Sequence, residues 1–373
     1  MKAEFERSIT YMRYYEDNIN YNNHIEFSRD RGREKSTLQI KNENEEKPKV
    51  VVIGGGTGQS VFLRGLKYHT QNITAIVTVA DDGGGSGVLR EDLGMLPPGD
   101  IRNCLLSLAN IEPTMNEVMK YRFTEGALKG QSFGNLFLAA MNGVYGNFET
   151  AVYKMSEIFA ITGRVLPVTL EDINLTAYLK NGNIVNGESN IPKQARSQNT
   201  SIDRIKLEPE GAKPLDEVIK SIENADIIVI GPGSLYTSIM PNLLVEGVID
   251  AIKKSKAPKV YIANIMTQPG ETDQYNVVDH VRAINKHCGE NIIDIIITNN
   301  EVLPKPVFEI YNKDGASQVL LDKSQKDILK DMGIKVIECN LVEIKSNYIR
   351  HDADYISSIV VNLALGHSYD NEK

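Results

Sequence analysis

Lys49-Val-Val-Val-Ile53 runs straight into Gly54-Gly-Gly-Thr-Gly58, and an apolar-periodic stretch begins at Gln59. Consecutive β-branched residues followed at once by glycines read as a buried parallel strand that ends in a tight turn and opens a helix. The first amides of a helix lack internal partners and carry its positive dipole end, so a phosphate placed over them satisfies both. The turn departs from both well-known phosphate loops. Gly58-Gln59-Ser60 puts an amide where the Walker pattern has lysine, and Ile53 stands where its first glycine belongs. Counted from Gly54, the third glycine of the dinucleotide fingerprint falls on Gln59. A phosphate turn and a plain tight βα turn therefore compete, and the neighbouring stretches decide.

From Lys49 onward strands and helices alternate, which predicts an α/β fold with a mostly parallel sheet. Candidate strands are Val50 to Ile53, Ile73 to Ala80, Asp226 to Ile230, Val260 to Ala263, Ile293 to Thr298 and Lys335 to Glu338. Small and polar residues follow each of the first five, and ligands of open parallel sheets lie outside the carboxyl ends of the strands. Between Asp100 and Ile161 the pattern is helical, with Asp100 as N-cap of Ile101 to Leu108 and Pro113 at a helix start. Residues 165 to 210 are β-rich and read as a small antiparallel insert. Within it Leu175 to Leu179, Asn181-Gly182 and Ile184-Val185 form a hairpin with a type I′ turn. Pro214 begins another helix. Residues 1 to 47, rich in Tyr, Asn, Arg and Glu, read as a polar extension with a short helix around Phe5 to Tyr15. A partner-binding arm and a mobile tail are its two readings, the second being the commoner case.

With 373 residues and 41% hydrophobic content, the chain can bury a large core. A formal net charge of -8 argues against a general nucleic-acid or anionic-membrane surface, since those binders rely on many Lys and Arg contacts. Cys104, Cys288 and Cys339 are odd in number and form no CxxC pair, which favours a reducing compartment. The amino terminus lacks a signal pattern, and no apolar run reaches the ~18 residues of a membrane span, so a soluble cytoplasmic protein is expected.

The chemistry-bearing stretches lie at the predicted strand ends. After the second strand comes Asp81-Asp82-Gly83-Gly84-Gly85-Ser86-Gly87, longer than a surface turn needs. Its acids sit where a ribose-binding carboxylate would be, its glycines can fold back as a nest of amides, and Asp81 with Asp82 can hold Mg²⁺ through water. Asp100, Arg102 and Asn103 follow a rigid Pro-Pro-Gly approach, and Ser132-Phe133-Gly134-Asn135 is a similar helix start. Gly231-Pro232-Gly233-Ser234-Leu235-Tyr236-Thr237-Ser238 suits a second phosphate or a sugar, with Tyr236 able to stack on a base. Asn264, Met266 to Thr272 and Asn299-Asn300 add polar depth. A nucleophile elbow is broken at Ser86, the histidines show no metal spacing, and Cys104 reads as core. Asp352 reads as the N-cap of the last helix, while His351 is left open.

Val51-Val-Ile-Gly-Gly-Gly-Thr-Gly-Gln-Ser60, Val79 to Gly87, Pro98 to Leu106, Ser132 to Phe137, Gly231 to Ser238 and Asn264 to Thr272 together resemble the bacterial gluconeogenesis factor family. That family belongs to the superfamily of 2-phospho-L-lactate transferase, an enzyme of deazaflavin coenzyme synthesis. The resemblance runs from residue 49 to about residue 366, across the region 48 to 368 taken as one nucleotide-binding domain. It implies a Rossmann-like three-layer αβα sandwich, a cytoplasmic location, and roles in cell shape and in growth on gluconeogenic carbon sources. It further implies binding of uridine diphosphosugars such as UDP-N-acetylglucosamine, with action through cell-wall or metabolic proteins and a homo-oligomer as an option. The transferase relatives move a phospholactyl group from a guanosine diphosphate donor with Mg²⁺. Carried over, Asp81, Asp82 and Asp100 become acid or metal-facing groups, with Asp82 and Asp100 as catalytic candidates. The binding set comprises Gly55, Gly56, Thr57, Gly58, Asp81, Asp82, Gly83, Gly84, Ser86, Asp100, Asn103, Ser132, Asn135, Gly231, Gly233, Ser234, Tyr236, Thr237 and Asn264. Two departures stand out: the extension before Pro48, and Gly85 where many members have serine, which removes one hydroxyl contact.

Overall fold

The computed structural model describes residues 47–345 and 348–367. Val50–Gly54 (β1), buried along its whole length, is flanked on one side by Ile73–Val77 (β2) and then Arg164–Pro167 (β3). Asn174–Leu179 (β4), Ile184–Asn186 (β5) and Ile202–Glu208 (β6) form a separate antiparallel sheet in the order β5-β4-β6. On the other side of β1 lie Ile227–Ile230 (β7), Lys259–Ile262 (β8), Ile295–Asn299 (β9) and Lys335–Cys339 (β10). Val342–Lys345 (β11) and Tyr348–His351 (β12) close a short hairpin.

The main sheet thus runs β10-β9-β8-β7-β1-β2-β3, with every pairing parallel. Val50, Val52, Ile53 and Ile227 to Ile230 have no solvent exposure, as expected for strands covered on both faces. Each such side chain stabilises the fold by roughly 1.5–3 kcal/mol. Helices surround the sheet. Gly56–Leu66 packs on Gly99–Leu108 and on the last helix, Ala353–Ala364, whose start is capped by Asp352 as expected. The chain lays down β2 and β3 on one side of β1 and later adds β7 on the other. Strand order therefore reverses between β1 and β7, the place where doubly wound sheets bind ligands.

Several expectations are corrected. The second strand ends at Val77, not Ala80, because Thr78 N turns to Gly54 O and Ala80 N to Thr78 Oγ1. Residues 164–167 belong to the main sheet, not to the insert: they pair in parallel with Thr74 to Val77 as an edge strand, where Pro167 costs no ladder bond. The insert begins at Asn174. Its hairpin turn is not type I′, since Gly182 has φ 90° while Asn181 is not left-handed and spends its side chain on the amide of Asn183. Asp100 lies inside the helix Gly99–Leu108 instead of capping it, and the helix expected at Pro214 starts at Asp216. The helix expected around Phe5 to Tyr15 lies outside the described residues.

Among the described residues no single helix is long and apolar enough to cross a membrane. One pair, Leu235–Leu243 with Val248–Lys254, passes by length and composition but is bent by 75°. All three cysteines are free and buried.

Candidate functional site

The turns after β1 and β7 meet at the reversal point. A side-chain carbon at Gly58 would lie 2.7 Å from Pro232 O, and one at Gly55 would lie 2.7 Å from Asp100 Oδ2 and 2.8 Å from Thr78 Cγ2. Neither contact leaves room for a methyl group, so glycine is required for the two turns and the helix Gly99–Leu108 to close around one crevice. Gly56 and Gly58 are half-buried there and Thr57 is exposed. Gln59, at the position of a phosphate-loop lysine, does not reach the crevice. Its Nε2 donates to Val52 O at 3.0 Å and Ile76 O at 3.1 Å, which ties the ends of β1 and β2 together, while Cys104 Sγ faces its Oε1 at 3.5 Å.

The acids separate into distinct roles. Asp81 Oδ1 accepts from Gly83 N at 2.9 Å, and Ser86 also bonds the carboxylate. Burial raises the Asp81 pKa, against the pull of those two bonds. With Asp81 holding its start, the glycine run from Gly84 is the first turn of a helix, Gly84–Leu93, and not the folded-back nest expected. Asp82 turns the other way, where its Oδ1 accepts from Ser189 N of the insert at 2.8 Å. Asp100 is pushed up to about 7, chiefly by burial and then by the negative Asp81, with the Gly56 amide and Arg102 pulling it down. The first amide of the glycine-turn helix therefore already faces a carboxylate of the protein.

Around Arg102 the polar groups serve one another. One guanidinium nitrogen bonds Ser132 Oγ and another donates to Asn103 Oδ1 at 2.7 Å. Ser132 also caps the helix Phe133–Tyr145 through Asn135 N at 3.3 Å. Asn135 Oδ1 is buried without a partner among the described residues. After β7, Gly233 and Ser234 line the crevice, and Ser234 Oγ meets Gln268 Nε2, whose Oε1 accepts from Asn264 Nδ2 at 3.4 Å.

Two residues of this stretch face inward, contrary to expectation. Tyr236 is 2% exposed, with its hydroxyl 2.8 Å from that of Tyr275 and its ring edge-on to His287, so no face is open to a base. The irregular helical turn Leu235–Ile239 rotates it into the core. Thr237 is also buried, and its hydroxyl donates to Glu271 at 3.3 Å. His351, left open by sequence, is a half-buried neutral donor: Nε2 lies 3.2 Å from Ala263 O, and desolvation pushes the ring down to about 4.

Two carboxylates were not singled out as site residues. Glu271 carried only the general polar signal of its loop. Glu188 had no signal of its own, lying in the short 3-10 helix Glu188–Asn190 after β5 and near Asp82 only in space; burial and the charges of Asp81, Glu271, Asp100 and Asp82 drive its pKa well up. Among the described residues no group of three or more His, Cys, Asp or Glu is placed to hold a metal ion. The side chains fit Mg²⁺ only as an ion that arrives with phosphates and water as its other ligands.

A model of the CofD family, described as 2-phospho-L-lactate transferase, matches residues 50–342. The chain belongs to this family. The chain is 58% identical over 316 residues to a putative gluconeogenesis factor of Thermoanaerobacterium thermosulfurigenes, covering 85% of this chain and 97% of that protein. It is 47% identical over 319 residues to the gluconeogenesis factor of Bacillus subtilis, covering 85% and 98%. A putative gluconeogenesis factor of Clostridium acetobutylicum is 53% identical over 328 residues, covering 87% of this chain and 72% of that protein. The crystal structure of a UPF0052 family member from Bacillus halodurans superposes with a TM-score of 0.81 at 46% identity, covering 84% of this chain and 99% of that one. Membership in the CofD family and likeness to gluconeogenesis factors agree with the resemblance read from the motifs.

Proposed function

We propose that the protein is a cytoplasmic nucleotide-sugar-binding regulator. Its ligand is a uridine diphosphosugar of the UDP-N-acetylglucosamine type, and it acts through cell-wall or metabolic proteins on cell shape and on growth with gluconeogenic carbon sources. The observation that carries this reading is the meeting of two glycine turns at the strand-order reversal, Gly58 against Pro232, with backbone on both sides of the gap. Backbone amides hold a diphosphate without a dedicated lysine where water is excluded, at ~1.5–3 kcal/mol per charge-assisted bond. The likeness to gluconeogenesis factors supports the regulatory half. Titration calorimetry with UDP-N-acetylglucosamine tests it: heat of binding is expected, and none at millimolar ligand ends the reading.

One observation favours a second reading. Asp100, poised at about 7 beside the glycine turn, has the affinity for protons that a general acid or base needs, and a transferase of the 2-phospho-L-lactate type would use it. Mg²⁺, when bound with the diphosphate, would neutralise its charge, with Asp81, whose charge acts on Asp100, as the acid that would meet it through water. Mg²⁺-dependent release of a nucleoside monophosphate from a diphosphate donor, slowed by Asp100→Asn, is its expected signature; undiminished release in that variant removes Asp100 from the reaction.

A further inference from the structure

The antiparallel insert returns to the crevice through residues 187–192. Ser189 N donates to Asp82 Oδ1 at 2.8 Å, and a side-chain carbon at Gly187 would stand 2.5 Å from Asp82 Oδ2, so both oxygens of Asp82 face this segment. A little further on, the carbonyl of Pro192 packs directly on Gly270. Asp82 follows β2 and Gly270 follows β8, and between those strands in the sheet lie β1 and β7. A segment tied at both points therefore passes across the ends of β1 and β7, over the reversal point and its two glycine turns. Glu188 sits at the Asp82 end of this crossing, between the two residues that meet Asp82. It has no hydrogen-bond or ion-pair partner among the described residues, and Asp81, Asp82, Asp100 and Glu271 are its charged neighbours.

We propose that residues 187–192 form a strap over the ligand crevice, that Asp82 is the latch holding it down through Ser189 N, and that Glu188 is the group the strap presents to the ligand. The proposal rests on the reading of the crevice as a nucleotide-sugar site and deepens it. Crowded by four other carboxyls, Glu188 has no positive charge to offer a phosphate, and its carboxyl, biased by those neighbours toward the protonated form, can accept through one oxygen and donate through the other, so it suits the hydroxyl and amide groups of the sugar end and not the diphosphate. Asp82 is then a positioning residue. Its charge is incidental, and what matters is an acceptor oxygen at that point.

Three variants separate a latch from a metal ligand or acid. Asp82→Ala and Ser189→Pro break the same bond from opposite sides, the second leaving the Asp82 charge intact, whereas Asp82→Asn keeps an acceptor oxygen. In hydrogen–deuterium exchange of the full chain, both latch-breaking variants should speed exchange in peptides covering residues 189–192 by about tenfold, with the main sheet unchanged and Asp82→Asn close to the wild type. Dissociation of UDP-N-acetylglucosamine should accelerate about tenfold in the same two variants, and Glu188→Ala should weaken that ligand without weakening UDP. Equal exchange in wild type and Asp82→Ala overturns the latch. Asp82→Asn behaving like Asp82→Ala overturns it in favour of a role for the charge, and equal losses for both ligands in Glu188→Ala overturn the assignment to the sugar. A wild-type protein that binds no UDP-N-acetylglucosamine defeats the nucleotide-sugar reading, while the exchange comparison still decides the strap.

Discussion

Replacing Glu271 by glutamine should flatten the dependence of stability on pH. Glu271 is 6% exposed and lies beneath the turn after β7, where it accepts from the amides of Tyr236 and Thr237 and from Thr237 Oγ1. Burial outweighs those bonds and lifts its carboxyl from the ordinary 4.5 to about 7. Between those two values the native state binds more protons than the unfolded chain, so stability falls as pH rises. The contribution of Glu271 is thus fully present below pH 4.5 and lost as pH climbs through about 7. The gap between the two values corresponds to about 3 kcal/mol at most. Glutamine does not ionise, so this share of the slope disappears, and the variant gains on the wild type by up to that amount between about pH 5 and about pH 8. Asp81 and Asp100 are raised as well and slope the same way in both proteins, whereas Glu188 loses the upward push of the Glu271 charge in the variant, which flattens the slope in the same direction. Urea unfolding followed by circular dichroism at a series of pH values measures it. Parallel curves for wild type and Glu271→Gln would refute the reasoning, because they would mean that this carboxyl titrates alike in both states.

Gly55→Ala drives a methyl group against Asp100 and Thr78, so a thermal melt should show a loss of about 1–3 kcal/mol together with lost nucleotide-sugar binding; an unchanged melt and an unchanged heat of binding would count against the close approach. Gln59→Leu strips the donor from Val52 O and Ile76 O and should cost at least about 2 kcal/mol in denaturant unfolding, whereas a ligand-reaching Gln59 would spare stability and lower affinity. Tyr236→Phe removes the hydroxyl bonded to Tyr275, with an expected loss of about 1 kcal/mol and no change in the preference among uridine, guanosine and adenine nucleotides; a shifted preference in a thermal-shift panel would return Tyr236 to the base site.

The sheet was largely readable in the order of residues. Val50 to Ile53 and Ile227 to Ile230 are apolar runs whose burial follows from their own composition, and the glycines after them mark where each strand stops. The strand at Arg164 was not readable as part of that sheet, because four residues with a charge at one end and a proline at the other carry too little pattern to name a partner. The turn after Leu179 failed for a similar reason: Asn181-Gly182 is compatible with two turn types, and the bond from Asn181 to Asn183 selects between them.

The candidate site divides along the same line. That polar residues gather at the carboxyl ends of parallel strands is a property of local sequence, since apolar runs and glycine turns act on their immediate neighbours. Which atom each polar residue faces was decided only by the tertiary structure. Asp82 meets Ser189 across 107 residues of chain, Asn242 Nδ2 meets Gly54 O across 188, Tyr236 turns to Tyr275, and Glu188 is carried to the crevice by the short helical turn after β5. A hydrogen bond requires approach to within about 3 Å and a favourable angle. The partner is therefore set by whichever distant backbone the packing brings into range, and the residues on either side of a polar side chain hold no record of it.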